Sequence, residues 1–159
     1  MKPYHFTLDP AAESVIHPPR SVPVHLIVLY RKEPDDMLNL GVLAPVDRPT
    51  DWVNSIVLSE IKNDKGDVTK LRVRLDPRDL NKWAKREHYR SKTVDEVLTK
   101  LNSNKFFTIV DAKKGCWHVP LDKESSYLTT FSIPFGRYRF KRLPFGFVVS
   151  QDVFKSSST

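Results

Sequence analysis

A chain of 159 residues is one ordinary domain by length. At that size a fold buries roughly 68–70% of its unfolded surface, so a genuine core is expected. Hydrophobic residues at 40% and charged residues at 28% exclude a disordered chain, and a net charge of +7 favours a polyanionic partner such as nucleic acid or an anionic membrane surface. A merely soluble basic protein fits the same charge. The single cysteine, Cys116, excludes an internal disulfide and argues against a cysteine-based zinc site. The opening "MKPYHFTLDPAAES" lacks the apolar core of a signal peptide, and "VHLIVLY" is too short to span a bilayer. An intracellular, reduced setting without membrane association is expected.

Eight of the twelve prolines precede Asp51. Residues 1–50 are therefore expected to be a largely extended approach segment, with one short helix around Arg31 to Leu40. From Trp52 the pattern changes. "WVNSIVLSEIK" and "TKLRVRLD" are strand-like and flank "NDKGD", which suits a hairpin loop. Leu71, Val73 and Leu75 alternate with Arg72 and Arg74, so strand geometry places the aliphatics on one face and both guanidinium groups on the other. "PRDLNKWAKR" predicts a short helix or turn. "TVDEVLTKL" pairs Thr93 and Glu96 at capping-box spacing and sets Val94, Val97, Leu98 and Leu101 along one helical stripe.

"FFTIV", Phe106 to Val110, predicts a buried strand ending in Asp111. Three further strand-like runs follow, "CWHVPL", "SYLTTF" and "YRFKRL", with Pro120, Pro134 and Gly136 marking their ends. In the last, Tyr138 and Phe140 share one face while Arg137, Arg139 and Lys141 share the other. A final "PFGFVVSQDVF" begins a helix. Hairpins without regular βαβ alternation place the chain in the α+β class.

The candidate chemistry centres on Asp111. A carboxylate at the rigid end of a strand can hold magnesium, which takes hard oxygen ligands, and the hairpin could bring Arg72 and Lys62 to a triphosphate. Taken alone, an acid after a strand is more often a turn former or a solvated group. Arg72 and Arg74 beside Asp76 are equally consistent with cross-strand ion pairs on a solvated face. The aromatics and cations of "RYRFKR" fit either contact with a nucleic-acid strand or an exposed strand with a buried aromatic face. For Trp117 and His118 packing is favoured over catalysis. The sequence shows no Ser/His/Asp triad, Walker loop or dinucleotide fingerprint.

The order of these segments is more informative than any one of them. "DWVNSIVLSEIKNDKGDVTKLRVRLDPRDLNK", "KREHY", "TIVDAKKGCWHVPLD" and "SSYLTTFSIPFGRYRFKRLPFGF" resemble successive motifs of a reverse transcriptase, in particular the polymerase of Gypsy-type LTR retrotransposons. The resemblance extends over nearly the whole chain, including "IHPPRSVPV" and "LGVLAPVDRPTDWV". It implies a right-hand polymerase, with residues 51–159 forming the fingers and the first part of the palm. By this resemblance Asp111 is the first catalytic carboxylate and binds both magnesium ions, helped by the backbone carbonyl of Ala112. Arg72 is the fingers arginine that meets the phosphates of the incoming nucleotide. Lys62 is the expected fingers lysine, with Lys65 as the alternative, because the loop length leaves the alignment open. Phe145, in "LPFG", lies where the family contacts nucleotide or template, and Arg78 and Asn81 support that region. The implied partners are a template–primer and deoxynucleoside triphosphates.

Three departures accompany the match. The family's Tyr-x-Asp-Asp motif supplies its other catalytic carboxylates, and no Asp-Asp pair follows Asp111 in these 159 residues. A chain with one such carboxylate is expected to be inactive in nucleotidyl transfer by itself, leaving a non-catalytic nucleic-acid-binding remnant as the alternative function. Cys116 stands where the family carries the aromatic residue that excludes a ribose 2′-hydroxyl, so weaker discrimination against ribonucleotides is expected. After "EHY" the family's Pro-Leu-Pro is replaced by Arg90-Ser91-Lys92. With the "KSSST" ending, this points to a truncated or decaying element copy.

Overall fold

The computed structural model describes residues 1–86, 92–101, 105, 106, 108, 114–147, 150 and 153. Asp111, Ala112 and most of the expected strand from Phe106 to Val110 lie outside the described residues.

Among the described residues five strands form two antiparallel sheets. A two-stranded sheet pairs β2 (Ile56–Lys62) with β3 (Val68–Leu75), with Ser59 opposite Arg72 and Leu58 opposite Val73. A three-stranded sheet has the order β1 (Leu43–Pro45), β5 (Gly136–Phe140), β4 (Phe131–Ile133). This bears out the α+β reading. The β2–β3 turn uses the chemistry of its residues: Asn63 Oδ1 accepts from the backbone N–H groups of Lys65 and Asp67, and Gly66 takes φ +85°. A short polar side chain and a glycine in left-handed backbone are what such a loop requires.

The apolar side of the hairpin and the inward side of the three-stranded sheet share one core. Leu71, Val73 and Leu75 are buried from the first, and Leu43, Phe131, Ile133 and Phe140 from the second. Alternation along β3 therefore works as expected, with Arg72 and Arg74 exposed on the opposite side. Asn54 joins the sheets at their base. Its Nδ2 donates to the carbonyls of Leu128 and Thr130, and its backbone N–H donates to the latter as well.

Helix α1 (Ile27–Asn39), led by a 3₁₀ turn at Val24–Leu26, packs against β3. It begins four residues before the expected Arg31 and carries Pro34 inside it. Tyr30, Pro34 and Met37 are buried against the core, so tertiary packing here overrides the local cost of an internal proline. The remaining N-terminal residues are extended and lie across later parts of the chain. Tyr4 bridges to Leu121, Leu8 to Ala84 and Ile16 to Val53.

Helix α2 (Arg78–Trp83) occupies the expected place. Helix α3 (Val94–Leu101) has the expected capping box: the Thr93 N–H donates to Glu96 Oε2 at 2.9 Å and the Glu96 N–H to Thr93 Oγ1 at 3.3 Å. Its apolar stripe, however, is not buried, since Val94, Val97 and Leu98 are all exposed.

Two expected strands are corrected. The first half of "CWHVPL" belongs to a 3₁₀ turn at Gly115–His118, entered through Lys114 in left-handed backbone at φ +55°. The first half of "SYLTTF" ends α4 (Lys123–Leu128), and only Phe131 reaches a strand. Asp122 caps α4 by accepting from the Ser125 N–H at 2.8 Å, and the Thr129 and Thr130 hydroxyls donate back to helix carbonyls. Those side-chain bonds outweigh the strand preference of a β-branched and aromatic run.

Candidate nucleotide-binding cleft

Strand β3, helix α1, the 3₁₀ turn and the Leu143–Phe147 loop enclose a cleft of about 340 Å³. Among the described residues Lys70, Arg72, Arg74 and Lys114 supply its cations, Glu33 its one lining carboxylate, and Trp117, Phe140 and Phe145 its aromatic surface. The Trp117 and Phe145 rings stand 5.6 Å apart, tilted by 50°, and Lys114 Nζ lies 4.7 Å from the Trp117 ring centre.

Pairing in and around the cleft leaves positive charge uncovered. Lys70 Nζ is 3.5 Å from the largely buried Glu33 carboxylate on α1. Among the described residues Arg72 and Arg74 form no ion pair, although Arg74 Nη2 donates to Ser59 Oγ at 3.3 Å. The cross-strand pairing with Asp76 does not occur, because Asp76 belongs to Arg78. Arg78 Nε donates to both carboxylate oxygens at 3.0 Å, and its Nη2 to Oδ2 at 2.6 Å. These Arg78 hydrogen bonds hold the Asp76 carboxyl below its ordinary 3.8, against the upward push of burial.

The loop carrying Phe145 is fixed from below by α2. Asn81 Nδ2 donates to the Gly146 carbonyl at 3.3 Å, and Pro77 Cγ would lie 3.6 Å from any Cβ added to Gly146. That distance is ordinary packing, but Gly146 has φ +84°, so a side chain there would be strained.

Of the residues expected from sequence, the structure brings Arg72 and Phe145 into one cleft and sets Asn81 behind them. Arg78 is tied to Asp76 at the foot of β3. Lys62 lies at the far end of β2, where its ammonium is 3.6 Å from Glu60, and neither it nor Lys65 lines the cleft. Cys116 is half-buried beside the cleft in the 3₁₀ turn, and burial pushes its thiol pKa up. Asp111 and Ala112 lie outside the described residues. Sequence reasoning left out Lys70, Lys114 and Trp117. Lys114 carried a signal in "DAKKG", directly behind Asp111; Trp117 offered only a packing pattern.

A mixed lining of guanidinium, ammonium and aromatic groups suits a ligand with a phosphate end and a planar end. Magnesium has no such support among the described residues, where no cluster of three His, Cys, Asp or Glu side chains is placed to hold an ion.

Residues 61–156 match the family model described as "Reverse transcriptase (RNA-dependent DNA polymerase)". The chain belongs to the reverse transcriptase family. This reverse transcriptase sequence is 36% identical over 115 residues to the retrovirus-related Pol polyprotein from transposon 297 of Drosophila melanogaster, an alignment covering 70% of the chain and 10% of that polyprotein. It is 31% identical over 126 residues to the enzymatic polyprotein of Cauliflower mosaic virus (strain NY8153), covering 79% of the chain and 18% of the relative. The chain thus spans less than a fifth of either relative. Its fold matches the prototype foamy virus protease–reverse transcriptase with a TM-score of 0.74 at 22% identity, over 99% of this chain and 20% of that one. A foamy viral protease–reverse transcriptase in complex with an RNA/DNA hybrid matches with a TM-score of 0.72 at 20% identity, over the same shares of the two chains. Among the described residues no helix is long and apolar enough to cross a membrane.

Proposed function

We propose that the chain is the fingers and first palm portion of an RNA-directed DNA polymerase of Gypsy type, and that its cleft receives the incoming deoxynucleoside triphosphate. The observation that carries the reading is the convergence of Lys70, Arg72, Arg74 and Lys114 with Phe145 and Trp117 around one opening. In this reading Arg72 holds phosphate oxygens through its planar fork of donors, while Phe145 and Trp117 meet the sugar and base. The RNA/DNA hybrid bound by the foamy viral relative supports a template–primer as the second partner. Similarity to a transposon polyprotein supports a mobile-element origin, and the motif order in the sequence supports the Gypsy type.

Magnesium and the catalytic role of Asp111 come from family membership. The 159 residues hold no Asp-Asp pair after Asp111, which favours nucleotide and nucleic-acid binding without turnover for this chain alone. Equilibrium binding of a fluorescent deoxynucleoside triphosphate tests the cleft. Arg72→Gln is expected to weaken binding by about 1.5–3 kcal/mol, the range for a hydrogen-bonding group that meets a charge. Unchanged affinity would remove the cleft from consideration, and primer extension by the chain alone would contradict the binding-only state.

A further inference from the structure

The three-stranded sheet has a second basic cluster, on the side turned away from the nucleotide cleft. Phe140 lines the cleft, and strand alternation sends the preceding Arg139 out through the opposite face of β5. There the Arg139 guanidinium lies 4.7 Å from the ring centre of Tyr127 on α4, and its Nη1 donates to Ser126 Oγ at 2.6 Å. A second guanidinium, from exposed Arg48, lies 3.7 Å from the same ring. Arg137 leaves β5 on the same side as Arg139.

Two features of this cluster call for an external partner. Among the described residues no carboxylate is within ion-pair distance of Arg48, Arg137 or Arg139. Attraction to the ring holds two like charges together, yet nothing described neutralises them. In addition, Arg139 Nε is buried and has no hydrogen-bond partner among the described residues, so the fold does not use all the donors of this guanidinium.

We propose that Arg48, Tyr127 and Arg139 form a second nucleic-acid contact, gripping the phosphate backbone of a strand on the sheet face opposite the nucleotide cleft. The ring fixes the planes of both guanidinium groups, and planar forks match phosphate oxygens two at a time. Such a contact carries no base preference, since only backbone oxygens are engaged. It would hold a strand independently of nucleotide entry.

The test is anisotropy of a labelled single-stranded DNA oligonucleotide titrated with the full chain over a range of salt. Arg48→Gln is expected to weaken binding roughly tenfold at low salt, the scale of one charge-assisted hydrogen-bonding group. It should also reduce the slope of log affinity against log salt by about 0.7, one backbone contact on a single strand. Deoxynucleoside triphosphate binding should be unchanged. Arg139→Gln should act in the same direction, but it also removes the Ser126 bond, so exposed Arg48 is the deciding position. Unaltered DNA affinity and slope in a folded Arg48→Gln chain would overturn the proposal, as would absence of DNA binding by the parent chain. Stabilisation by inorganic phosphate that Arg48→Gln abolishes, with DNA binding intact, would assign the cluster to a free anion and overturn it too. Failure of Arg72→Gln to affect nucleotide binding would count against the cleft and leave this contact standing.

Discussion

"LRVRL" on β3 and "RYRF" on β5 are nearly the same pattern, arginines alternating with apolar or aromatic residues, yet the fold treats them differently. On β3 the arginines are left open beside the cleft, and Arg74 has only a 3.3 Å bond to Ser59. On β5 Arg139 is laid on Tyr127 and tied to Ser126. Period-2 alternation decides which face a side chain takes; whatever packs against that face decides how firmly the fold anchors it before any ligand arrives. α4 lies over one sheet, and no described helix covers the arginine side of the other in the same way.

Because both sheets feed one core, the comparison can be broken outright. Phe131→Ala, under the three-stranded sheet, is expected to cost about 3–5 kcal/mol in urea denaturation. The loss should appear at the same midpoint in probes on either sheet. Separate transitions would show that the hairpin folds by itself and that the shared core does not couple them.

A finer contrast comes from truncating one arginine of each strand. Arg139→Met should lower stability by about 1–2 kcal/mol through loss of the Ser126 bond and the ring contact. Arg72→Met should stay within about 0.5 kcal/mol in the same melts, as an exposed side chain without an ion pair among the described residues. Equal losses would erase the distinction between an arginine held by the fold and one held open.

The smallest effect concerns the foot of β3. Arg78 keeps the Asp76 carboxyl below 3.8, so its contribution to stability is complete above that ordinary value. It fades as pH falls from 3.8 through the lower folded-state value. The stability difference between parent and Arg78→Gln should therefore shrink on acidification from pH 7 toward pH 2. A constant difference would place the role of Arg78 elsewhere.

Much of this was legible locally. The β2–β3 hairpin followed from strict alternation around an Asn-Asp-Lys-Gly loop, and α3 from Thr93 and Glu96 three residues apart. α4 was misread because Tyr127, Thr129 and Thr130 look like strand residues, while the decisive signal was Asp122 three residues before Ser125. α1 started early because burial of Tyr30 and Met37 overcame Pro34. At the cleft, Arg72 and Phe145 were found through motif resemblance, whereas Lys70, Lys114 and Trp117 required the fold to bring distant segments together. The stacking of Arg48 and Arg139 on one ring leaves no trace in sequence spacing.

The N-terminal segment sets a timing condition on the birth of the molecule. The Phe6 N–H donates to Ser125 Oγ, and His5 Nδ1 lies 2.6 Å from Asp122 Oδ2. Those partners are 119 and 117 residues downstream. During synthesis the segment leaves the ribosome on the order of ten seconds before its docking surface exists. Until then Phe6, later stacked 4.3 Å from Phe147, has no native partner, so this seam belongs to the long-range contacts whose closure slows folding.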